Sequence, residues 1–117
     1  MREILFKEFN EIMEKWKGDK VKLLDTHQTF FLPETEQFQE TFLLKKAIAG
    51  DLETHISSRN ILIGCELNQV RIINNVQDIH MNDEENMLTI HTSHHTSKKN
   101  TIVTELINTS KGGNNNG

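Results

Sequence analysis

The chain opens with apolar residues at helical spacing: Leu5, Phe9, Ile12, Met13 and Trp16 recur at intervals of three and four, with Ile4 and Phe6 widening the stripe. This predicts an amphipathic helix over Glu3 to Lys17. Its polar face sets Glu3 before Lys7 and Glu11 before Lys15 at i,i+4, and Gly18 supplies a stop. From Lys20 the period changes. Val21 and Leu23, then Phe30, Phe31 and Leu32, flank Asp25-Thr26-His27-Gln28, a pattern for a hairpin or two short strands that Pro33 ends.

Residues 34–49 carry two superimposed patterns. Acidic residues come first, Lys45 and Lys46 come late and Gly50 follows, which is the charge order a helix macrodipole favours. Phe38, Phe42, Leu44 and Ile48 also fit an alternating strand in which Glu40 and Lys46 intrude. The charge order predicts a second helix. After a polar joint at Ser57-Ser58-Arg59-Asn60, β-branched residues predict strands over Ile61 to Cys65, Val70 to Ile73, Val76 to Met81 and Met87 to Thr92. Asn68-Gln69 and Asn74-Asn75 read as turns or bulges, and 82–86 as a loop between two strands. Thr101 to Ile107 fits a strand or a helical face, and its β-branched content favours the strand.

The fold class expected is therefore α+β: an antiparallel meander of about five to six strands packed against the N-terminal helix and a second helix. One domain spans 1–110, and 111–117, made of Lys, Gly and Asn, forms a flexible tail with no apolar area to bury.

Composition refines this picture. Tyrosine is absent and Trp16 is the single indole, so the core has to be filled by aliphatic side chains and a few Phe. Thirteen basic against seventeen acidic residues, with no block of like charge, argue against a broad phosphate-binding face and hence against nucleic acid as partner. No run approaches the roughly twenty apolar residues needed to span a bilayer. Cys65 has no second cysteine to pair with and the first residues lack a secretory pattern, so a cytoplasmic location is expected. Following Gly64 in an apolar run, Cys65 reads as a small buried hydrophobe.

Candidate chemistry is sparse. His80, His91, His94 and His95 fall within sixteen residues, and imidazoles this close could share a metal ion if the strand ending at His91 turned back beside the strand carrying His80. The competing reading is a solvated polar loop. The segment from Gly50 to Ser57 partly matches a helix-turn-helix, with Arg59 as a base-reading side chain, which makes a DNA-binding regulator using 45–59 an alternative. Glycine-rich phosphate loops are absent, and the acidic pairs Glu34/Glu36, Glu8/Glu11 and Glu84/Glu85 do not single out an acid and a base. No catalytic residue and no cofactor are expected. What remains is a non-enzymatic protein-binding module, expected to form a homodimer, with Trp16, Phe30 and Phe31 as interface anchors wherever they are exposed. The Ile-, Asn-, Lys- and Glu-rich composition suggests by association an accessory protein of a phage or mobile element, inhibiting a host protein by covering its surface.

Overall fold

The computed structural model describes residues 1–28, 35–51, 58–93 and 101–110. Among them the chain forms β1 (Arg2–Ile4), α1 (Phe6–Trp16), β2 (Lys20–Gln28), β3 (Thr35–Gly50), β4 (Asn60–Cys65), β5 (Val70–Ile73), β6 (Val76–Met81), β7 (Met87–Ser93) and β8 (Thr101–Asn108). A short 3-10 turn, Glu66–Asn68, separates β4 from β5. Each strand runs antiparallel to its neighbours, in the spatial order β1-β6-β7-β8-β2-β3-β4-β5. Two meanders, β2 to β5 and β6 to β8, are thus joined side by side through the β2–β8 pair.

The chain order forces the sheet to curl. β5 ends at Ile73 and β6 starts at Val76, although the two strands belong to opposite flanks of the sheet. Three steps of about 3.8 Å bridge them, so the flanks have to meet. At that seam Val76 N–H donates to Arg59 O at 2.9 Å, and Arg59 Nε donates back to Val76 O at 3.0 Å. Asn75 makes the reversal with φ at 62°, in the left-handed region that Asn tolerates better than most residues.

Inside the curl lie Val21, Leu23, Ile61, Ile63, Ile79, Leu88, Ile90 and Leu106, covered by Phe9, Ile12, Met13 and Trp16 of α1. The core is aliphatic, as the composition requires. α1 packs on β3. β2 pairs with β3 only as far as Leu43, leaving the second half of β3 with one open edge. Asn10 fills part of it: its Oδ1 accepts from Ala49 N–H at 2.7 Å and its Nδ2 donates to Ala49 O at 3.1 Å. The chain leaving the helix fills more, with Gly18 N–H donating to Leu44 O and Leu44 N–H donating to Asp19 O.

Four expectations are corrected. Asp25-Thr26-His27-Gln28, expected as the joint of a hairpin or of two short strands, continues the single strand β2 and pairs with both β3 and β8. The helix expected over 34–49 is strand β3, because β2 and β4 satisfy its backbone and Phe42, Leu44, Ala47 and Ala49 reach the core. A charge order worth roughly 0.3–1 kcal/mol per residue cannot compete with that burial. A bulge between Leu44 and Lys46 lets Leu44 and Ala47, three apart, both face inward, which is why the alternation reads as irregular. The described strands number eight and not five to six, the additions being β3 and β1. β1 takes Arg2–Ile4, so the first helix is shorter than Glu3 to Lys17.

The strands expected at 61–65, 70–73, 76–81, 87–92 and 101–107 are present. The loop at 82–86 is organised by Asn82, whose Oδ1 accepts from the N–H groups of Asn86 and Met87. The tail at 111–117 lies outside the described residues.

Candidate functional site

On β6 the inward positions are Val76, Ile79 and Met81, each at most 2% exposed. Val76 and Ile79 are an odd number of residues apart, so strict alternation would send one of them outward. A register shift between Val76 and Asp78 resolves this by returning Val76 to the core, while Asp78 and His80, alternating with Ile79 and Met81, take the outer face. Asp78 then stands opposite His91 of β7, whose neighbour Ile90 fills the core.

The three side chains converge. His91 Nδ1 lies 2.6 Å from Asp78 Oδ1, and His80 Nδ1 lies 3.3 Å from the same oxygen. The second approach lacks hydrogen-bond alignment, and among the described residues the buried His80 Nδ1 has no hydrogen-bond partner. The imidazoles meet edge to face, with centroids 5.7 Å apart. One ligand atom from each of the three residues lies within 4.8 Å of the others. The side chains of His80, Asp78 and His91 are 27%, 34% and 42% exposed, so the site is open to solvent from outside the sheet. Glu3 of β1 and Thr89 of β7 stand directly opposite His80 in register. Asp78 also borders a cleft of about 280 Å³ lined by Glu3, Leu5, Phe6, Lys7 and Arg59, in which the Arg59 guanidinium stacks 4.4 Å above Phe6.

Of the four histidines proposed as metal ligands, His80 and His91 are brought together, and His94 and His95 lie outside the described residues. Asp78 is the member that sequence reasoning missed. The available signal was Asp78-Ile-His80-Met, an alternation that places carboxylate and imidazole on one strand face.

A second outer surface has the opposite character. Ile48, Leu62 and Ile72 line up in register across β3, β4 and β5, and Val70 lies two residues from Ile72 on the same face. Val70 is opposed by Gly64, which offers no side chain to cover it. Val70 and Ile72 are 57% and 52% exposed, and among the described residues β5 pairs with β4 alone. On the opposite face Arg71 reaches across to Glu40 of β3 with a two-pronged contact, Nε to Oε2 at 2.6 Å and Nη2 to Oε1 at 2.7 Å. That guanidinium holds the Glu40 carboxyl below its ordinary value, and its own charge is reinforced in return.

Cys65 is buried at the end of β4, where desolvation raises its thiol pKa, the reverse of what a nucleophile needs. Trp16, the last residue of α1, is 2% exposed on its inward side, so the exposure on which its role as an interface anchor depended is not met. Phe30 and Phe31 lie outside the described residues. Of the segment read as a partial helix-turn-helix, 45–50 belongs to strand β3 and 52–57 lies outside the described residues.

These features define the class as a small α+β domain in which a curled antiparallel sheet holds the helix α1. No protein-family model matches the sequence, and no curated protein matches it. Among solved structures, the crystal structure of the Bacillus subtilis YojF protein is similar in fold, with a TM-score of 0.68 over 92% of this chain and 93% of that one. At 9% identity the likeness is one of fold alone. Among the described residues no helix is long and apolar enough to cross a membrane.

Proposed function

We propose that this chain is a non-enzymatic protein-binding module whose docking surface is the outer face of β3, β4 and β5, and that its first occupant is a second copy of the same chain. The observation that carries the reading is the apolar row Ile48–Leu62–Ile72, extended by Val70 and ending at the open edge of β5. Solvent faces of antiparallel sheets are ordinarily polar, and open edges are ordinarily blunted by charge, proline or a bulge. The one charge on β5, Arg71, is engaged with Glu40 on the other face, and its outward positions carry only Val70 and Ile72. Two β5 edges paired antiparallel about a two-fold axis would bring the Val70 and Ile72 of both copies onto one continuous outer face. Arg71, engaged with Glu40 on the other side, fixes β5 against β3 and keeps that face pre-formed. Occupation of a surface in this way is also how an accessory inhibitor would act on a host protein.

Sedimentation equilibrium tests the proposal. The chain is expected to have twice its 13.6 kDa mass at micromolar concentration, and Ile72→Lys is expected to return it to one chain with its fold retained. A wild-type mass of one chain, or a dimer indifferent to Ile72→Lys and Val70→Lys, would overturn it.

A further inference from the structure

The outer face of β6 and β7 is unrelated to that docking surface, and we infer that Asp78, His80 and His91 form a binding site for a divalent transition-metal ion of the zinc class.

Two imidazoles and one carboxylate are a borderline nitrogen and oxygen donor set, suited to Zn²⁺ and poorly matched to Mg²⁺ or Ca²⁺, which take oxygen almost alone. The distances fit such an ion. Ligand bonds of about 2.0–2.1 Å in a tetrahedral arrangement place donor atoms roughly 3.3 Å apart. Asp78 Oδ1 and His80 Nδ1 already stand at 3.3 Å, and Asp78 and His91 at 2.6 Å have to part by less than an ångström. The whole set lies within 4.8 Å.

Two features single the site out. His80 Nδ1 is buried without a hydrogen-bond partner among the described residues, an atom that a metal ion would satisfy. Glu3, directly opposite His80, adds a second carboxylate to the cation's surroundings. The ligands come from two paired strands of a packed sheet, so little ordering is left for the metal to impose. Three protein ligands leave a fourth position that water takes from the open side.

The experiment is a calorimetric titration of the full chain with ZnCl₂ against Asp78→Asn, His80→Ala, His91→Ala and the double variant His94→Ala/His95→Ala. Circular dichroism confirms that each variant is folded; all three proposed ligands lie on the outside of the sheet, and Asp78→Asn keeps the side-chain shape. One Zn²⁺ per chain is expected, with affinity falling about tenfold or more in each of the first three variants. A rise in Tm with ZnCl₂, absent with MgCl₂ and lost in His80→Ala and His91→Ala, is the second readout. The inference is overturned if the wild type binds no stoichiometric Zn²⁺ at micromolar concentration. It is equally overturned if His80→Ala and His91→Ala bind as tightly as the wild type, in which case the metal lies elsewhere.

Discussion

On β6 and β7 the outward positions include Asp78, His80, Thr89 and His91; on β4 and β5 the same two-residue alternation turns Leu62, Gly64, Val70 and Ile72 outward. The first set obeys the ordinary rule for a solvent face and gathers ligating groups. The second departs from that rule beside an open edge. The two flanks are also anchored differently. The ladder of β6 and β7 continues through β8 into β2, whereas β4 and β5 depend on the second half of β3, whose far edge is completed by the Asn10 amide and the residues after α1. The helix therefore supports the flank of β3 to β5 through hydrogen bonds to its backbone, and the other through the shared core and an exposed ion pair between Arg2 of β1 and Glu8.

The largest expected effect tests the shared part. Phe9 is fully buried between α1 and the sheet, so Phe9→Ala leaves a cavity and is expected to cost about 3–5 kcal/mol of unfolding free energy. Urea unfolding followed by the fluorescence of Trp16, the single indole, measures it directly. A loss below about 1 kcal/mol would mean that the helix does not roof the core.

Asn10→Ala separates the flanks. It removes both partners of Ala49 and leaves a partly buried N–H and C=O unmatched, with an expected cost of about 1–3 kcal/mol. Native-state hydrogen exchange should then show faster exchange at β4 and β5 amides than in the wild type, while β7 and β8 change less. Equal acceleration across all strands would erase the distinction drawn between the two anchorages.

Much of this architecture is legible in the chain. Strands with β-branched residues and clean alternation, such as Ile61 to Cys65 and Met87 to Thr92, declare themselves because local preference and burial agree. β3 does not. Its charge order imitates a helix and its bulge breaks the alternation, and only the partners on both edges, distant in sequence, decide the outcome. For the candidate site, the proximity of His80 and His91 is readable as two strands joined by the Asn82–Asn86 loop. The face shared by Asp78 and His80 follows from the alternation Asp78-Ile-His80-Met, but the pairing of Asp78 with His91 needs the β6–β7 register, which no composition or period encodes. The apolar row on β3, β4 and β5 was equally hidden, since Ile48, Leu62, Val70 and Ile72 are indistinguishable from core residues until the inner face is seen to be filled by others.

The smallest expected effect concerns how firmly β5 is held beneath its apolar row. Glu40 accepts two hydrogen bonds from Arg71, and this lowers its pKa below the ordinary 4.5. The ionised form is thus favoured by folding, so the contribution is complete above that ordinary value and disappears as pH falls through the lower folded value. Both side chains are more than a third exposed, and solvent screening keeps the effect modest. Glu40→Gln is expected to lower Tm slightly near neutral pH and to converge with the wild type in acid well below 4.5. Added salt should narrow the difference at neutral pH, because a partly exposed pair is screened. If the gap between the two proteins stayed constant from neutral pH into acid, the pair would be contributing packing and not charge, and β5 would be anchored by its ladder with β4 alone.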